Sequence, residues 1–152
     1  MSNVMVEIVR PRRQIAARPG EGGAAPAPDA PVMWTATLTG EPLPRGAARE
    51  IAFVRGVPRS VPTQRARLWQ RSALAQLVNR RPTRPFASTL VLECRFWHGA
   101  TSGAADDSDV IELLERAAVI ANRRQIREKH LFAGHDVLNP RTEVALRRVY
   151  CD

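Results

Sequence analysis

Residues Val32–Thr39, Val-Met-Trp-Thr-Ala-Thr-Leu-Thr, are rich in β-branched side chains and alternate loosely between apolar and polar, the pattern of a strand. Gly40-Glu41-Pro42-Leu43-Pro44 stops that run with residues that resist regular pairing. A second extended piece covers residues 50–55 and leads into a break at Gly56-Val57-Pro58. Thr63 then has the chemistry of an N-cap for a helix reaching Arg80, with Ala66, Trp69, Ala73, Leu74, Leu77 and Val78 along one side. Arg65, Arg71 and Ser72 lie on the other side. Pro82 and Pro85 end this helix, and residues 88–97, with Leu, Val and Phe between polar positions, predict the clearest strand of the chain. A loop over residues 98–103 delivers an acid cluster to a second helix over residues 109–121, whose stripe is Leu113, Leu114, Ala117 and Ala121. Strands over 125–132 and 142–150 complete the set. The order predicts an α/β (α+β) fold, a small mixed β-sheet with two main helices packed on it.

The 152 residues suffice for one domain with one core, assigned to residues 31–152. Residues 1–30 read as a flexible N-terminal arm, because the segment from Arg10 to Ala30, rich in Gly, Ala and Pro, has too few large apolar groups to offset the entropy of ordering it. Within it, residues 4–9 alternate weakly, which fits either an added edge strand or an unstructured start. No apolar run approaches the roughly 20 residues of a membrane span, and the N-terminus lacks the basic-then-apolar pattern of a signal peptide, so a cytoplasmic protein is expected. Cys94 and Cys151 form no Cys-x-x-Cys pair and are expected to be reduced, ordinary thiols.

Charge changes the picture more than length does. Lys and Arg number 23 against 15 Asp and Glu, a net charge of +8, and Lys129 is the only lysine. Guanidinium groups suit bidentate contact with phosphate, and a polyanion binds such a surface by releasing counterions. Nucleic acid is therefore the expected partner.

Against that background Asp106-Asp107-Ser108-Asp109 stands out. In an extended segment Asp107 and Asp109 face the same way and can hold a hard cation such as Mg2+. The same residues admit a second reading, in which Asp109 and Glu112 form a capping box at a helix start. Asp106, Glu112 and Glu115 are further acids near the pair. His98, His130 and His135 offer imidazoles without metal-ligand spacing. Trp97 could stack on an unpaired base or pack in the core.

Taken in order, these elements resemble the RusA-type Holliday junction resolvases, a family of small endonucleases common in phages and prophages. The resemblance covers roughly residues 32–149. Gly40-Glu41-Pro42-Leu43-Pro44-Arg45-Gly46 is similar to the family's Gly-x-Pro-x-Pro turn and arginine-bearing segment. Asp107-Ser108-Asp109-Val110-Ile111-Glu112-Leu113 matches its Asp-x-Asp-Asn-Leu-x-Lys motif at both aspartates, and Asn122-Arg123-Arg124-Gln125-Ile126 is similar to its Asn-Asp-x-Gln-Val motif. The resemblance implies a Mg2+-dependent homodimer acting on Holliday junctions or other branched DNA in recombination and repair, in a bacterial host's cytoplasm. By position, Asp107 and Asp109 would be the catalytic metal ligands, with Asp106 and Glu112 as extra candidates. Arg45, Arg49, Arg59, Arg65, Arg71, Arg123 and Arg124 would hold the DNA.

The chain departs from that pattern where the chemistry is most demanding. The family's third carboxylate falls at Arg123, its lysine at Leu113 and its motif asparagine at Val110. A guanidinium beside Asp107 or Asp109 would pair with it and stand in for the metal. Three readings follow: an active nuclease, a RusA-like DNA-binding protein without activity, and an unrelated small basic nucleic-acid-binding or assembly protein. The position of Arg123 relative to the aspartates is the observation expected to separate the first two.

Overall fold

Two long-range pairings, residues 32–39 on 141–147 and residues 5–8 on 131–134, bring segments distant in the sequence into one sheet. The computed structural model describes the backbone of residues 5–8 together with residues 30–99 and 107–149. Its strands are β1 (Met5–Ile8), β2 (Val32–Thr39), β3 (Arg49–Val54), β4 (Val57–Pro62), β5 (Leu90–His98), β6 (Ile126–His135) and β7 (Arg141–Arg148). Its helices are α1 (Arg45–Ala48), α2 (Gln64–Arg80) and α3 (Ser108–Arg116), with a 3-10 turn at Arg123–Gln125. Five strands form one mixed sheet in the order β1-β6-β5-β7-β2, and β3 and β4 form a separate hairpin. β5 and β6 run parallel, joined through α3, and every other pairing between these strands is antiparallel. The α+β expectation holds.

The core follows from the two periodicities. Along β5, Leu90, Leu92, Cys94 and Phe96 point to one face and are buried. Leu131 of β6, Val144 and Leu146 of β7 and Ala36 and Leu38 of β2 join them, and α2 and α3 cover that layer. α2 starts where Thr63 Oγ1 accepts from the Ala66 amide at 3.2 Å, and it buries Ala66, Ala73 and Leu77. Val78, expected on the apolar side, lies at its margin and is 39% exposed.

Several boundaries differ from expectation, each for a local reason. The helix expected over 109–121 is α3, which begins at Ser108 and stops at Arg116. Its end is closed by Ala118 N–H donating to Glu115 O at 3.1 Å and Val119 N–H donating to Leu114 O at 2.9 Å, with Ala118 at φ 58°. That is a Schellman closure with alanine where glycine is usual, so no glycine marks the stop in the sequence. Residues 5–8, within the expected N-terminal arm, take the edge-strand alternative and pair with β6 as β1. The break expected at Gly56-Val57-Pro58 is a two-residue turn, Arg55-Gly56, followed by β4. Both turn residues have positive φ, 53° and 76°, the backbone of a type I′ hairpin turn. Among the described residues no helix is long and apolar enough to cross a membrane.

Candidate functional site

Asp107 lies at the start of α3, on the helix-covered side of the sheet beside Cys94 and Lys129. It is the N-cap residue of α3, is 6% exposed, and its side chain makes no capping hydrogen bond. Asp109 lies in the first turn of the helix rather than at the cap, so the capping box expected from Asp109 and Glu112 is displaced from the helix start. As first-turn acids do, Asp109 favours the positive end of the helix dipole.

The cation beside Asp107 is Lys129. Its ammonium lies 2.8 Å from Asp107 Oδ2. That buried oxygen accepts no well-directed hydrogen bond, so the contact is one of charge with charge rather than an aligned donor and acceptor. Lys129 reaches the site because β6 runs parallel to β5: it stands opposite Leu92, one pleat from Leu131 opposite Cys94, on the face that α3 covers. Cys94 is fully buried, and burial, reinforced by the Asp107 and Glu93 charges, pushes its thiol far above the ordinary cysteine range. It is inert as a nucleophile.

Arg123 does not approach the aspartates. Its Nε donates to Glu115 Oε2 at 2.9 Å at the surface. The charge that neutralises the site therefore comes from β6 and not from the position that the motif comparison singled out. Glu112 is exposed and faces Arg116 at 3.9 Å. Asp106 and the side chain of Arg45 lie outside the described residues. Among the described residues, no three His, Cys, Asp or Glu side chains gather where one ion could bind them. A hydrated Mg2+ needs anionic oxygens free to receive it. With an ammonium on the buried oxygen of Asp107, the described residues do not fit that ion.

The Asn122 to Ile126 segment has a structural role. Asn122 Oδ1 accepts from the Arg124 amide at 2.8 Å, and Gln125 Oε1 accepts from the Asn122 amide at 2.6 Å, a reciprocal cap on the 3-10 turn. Gln125 Nε2 also donates to Phe86 O and Ser88 O, both at 2.8 Å, tying the turn to the approach to β5.

The remaining arginines proposed for DNA are exposed but spread over different elements. Arg49 and Arg59 lie on opposite faces of the β3–β4 hairpin, Arg65 and Arg71 on α2, and Arg123 and Arg124 on the 3-10 turn. On the uncovered face of the sheet charge is matched: Glu93 meets Arg95 at 2.9 Å and Arg147 at 3.6 Å.

The partners of the three histidines were not legible in the sequence. His98, buried at the end of β5, places Nδ1 against the Glu41 carboxylate, whose other oxygen accepts from Gly99 N–H at 3.0 Å. His130 pairs with Glu128 at 2.8 Å, and His135 lies tilted beside His98 with ring centroids 6.2 Å apart. Trp97 takes the packing role. A Cβ at Gly134 would come within 2.9 Å of its ring, so the glycine permits the contact, and the Arg141 guanidinium covers the ring at 4.6 Å.

Arg141 also donates to Asp136 Oδ2 and Glu143 Oε1, both at 2.8 Å. The hydrogen bond from Arg141 holds the Asp136 carboxyl below its ordinary value, aided by the Asn139 amide. A carboxyl depressed by folding stabilises the fold above the ordinary aspartate range, and that contribution is lost as pH falls through the folded value. An NMR titration is expected to find Asp136 ionising below the ordinary aspartate range, and Arg141→Gln to return it toward that range.

Compared with known proteins, the chain matches no family model, and no curated protein matches it.

Proposed function

We propose that this protein is a RusA-like DNA-binding domain that engages branched DNA through its arginines without metal-dependent cleavage. The observation that carries the reading is the Lys129 ammonium 2.8 Å from the buried Asp107 carboxylate. It supplies the positive charge that a resolvase of this type would take from Mg2+. Two features support it: the chain's only lysine stands at this one place, and Arg123 occupies the motif's third acidic position while pairing with Glu115. The arginines then act as phosphate contacts, which set affinity and orientation rather than sequence. Such a protein would work in the bacterial cytoplasm, where recombining DNA is found.

The test uses a labelled four-way junction with Mg2+ or Mn2+, the natural protein and an Asp107→Asn/Asp109→Asn variant. The expected result is binding by both proteins, weakening steeply as salt rises, with no incision by either. Incision that requires the metal and disappears in the variant would overturn the reading. An affinity indifferent to salt would remove nucleic acid as the partner.

A further inference from the structure

The β3–β4 hairpin has one closed edge and one open edge. Its type I′ turn makes Val54 and Val57 a hydrogen-bonded pair, and bonded and non-bonded pairs alternate from there. Thr63 N–H donating to Ala48 O at 2.9 Å lies on the same alternation. The outward backbone groups of β4 therefore belong to Pro58, Ser60 and Pro62, and those of β3 to Arg49, Ile51 and Phe53.

The β4 edge is blocked. Pro58 and Pro62 have no N–H to offer at two of its three outward positions. The Ser60 carbonyl accepts from the Arg49 guanidinium at 2.7 Å, and the Pro62 carbonyl accepts from Arg67 Nε at 3.0 Å. β3 has no proline and, among the described residues, no strand on the edge turned away from β4. Ile51 and Phe53 are 68% and 76% exposed on it. One edge is thus protected against strand addition, while its neighbour combines outward backbone groups with exposed apolar side chains.

We infer that β3 pairs antiparallel with β3 of a second copy of this chain, about a two-fold axis at Ile51. That register satisfies the outward groups of Arg49, Ile51 and Phe53 from both copies at once. On one face it sets Ile51 against its counterpart and each Phe53 ring beside Arg49 of the other copy, a favourable cation and ring combination. On the other face Glu50 lies opposite Ala52 of the other copy. Arg59 is the neighbour of Ala52 across the hairpin. Because alanine is short, Glu50 and Arg59 of different copies can meet over it, two strands or roughly 10 Å apart at the backbone. Both faces are therefore self-complementary, as an isologous interface requires. Six residues of edge are small beside a standard interface of about 1,600 Å², so the pairing depends on concentration. It stands on the hairpin alone and does not need the DNA reading.

Sedimentation velocity of the full chain from micromolar to submillimolar concentration, without DNA, tests it. The expected mass rises from one chain toward two. Ile51→Pro removes a central outward N–H that the hairpin itself does not use, and Ile51→Lys places two ammonium groups at the axis; both are expected to stay monomeric with unchanged circular dichroism. Glu50→Arg and Arg59→Glu alone should each weaken the pairing at least tenfold, and the double variant should restore it. A natural protein monomeric throughout that range overturns the inference, as does a dimer indifferent to both Ile51 substitutions. Junction binding by a monomer would leave the nucleic-acid reading standing while this one falls.

Discussion

Phe96→Ala is expected to lower the free energy of unfolding by about 3–5 kcal/mol, the range for truncating a fully buried phenylalanine. Phe96 is 1% exposed and is the largest fully buried side chain among the described residues. It stands on the central strand, opposite Ala133 of β6 and Thr142 of β7. Those neighbours are small and sit on hydrogen-bonded strands, so they cannot move in to fill the space. Urea unfolding measures the loss. A change below about 1 kcal/mol would mean that the helix layer collapses onto the gap and that the packing is looser than described.

Lys129→Met is expected to cost about 1–2 kcal/mol, discounted from the value for a fully buried pair because the lysine side chain is 46% exposed. It leaves the carboxylate of Asp107 beneath α3 without its cation. Asp107→Asn in the same chain removes the stranded charge, so the double variant should recover most of the loss. A double-mutant cycle reads the coupling directly, and additive effects would refute the pairing as a source of stability. The same variants bear on chemistry. If the ammonium stands where a metal would, Mg2+ should raise the melting temperature of Lys129→Met while leaving the natural protein unchanged.

Much of the fold was legible in the sequence because its elements carry their signals locally. Thr63 marks the start of α2, and the alternation in Val32–Thr39 marks β2 to the residue. What could not be read depends on pairing at a distance. The prolines of β4 look like a break because proline is excluded from the bonded positions of a strand, yet Pro58 and Pro62 occupy the outward ones. The end of α3 carries no glycine or proline, since Ala118 adopts the left-handed conformation itself. At the candidate site, Asp107 and Asp109 were identifiable as acids out of place in a basic chain. Their counter-charge was not: Lys129 lies 22 residues after Asp107, and only the parallel register of β5 and β6 brings the two together. Arg123 was adjacent in the motif but not in space.

The pairing of β1 with β6 sets an order of events during synthesis. Met5–Ile8 are made long before the strand they pair with, which ends at His135. Until then β6 does not exist, and in any chain that loses residues 5–8 its outer edge has lost its neighbour, a row of backbone donors and acceptors able to recruit strands from other molecules. A strand made more than a hundred residues before its partner thus waits for it, and once paired acts as the seal of that edge.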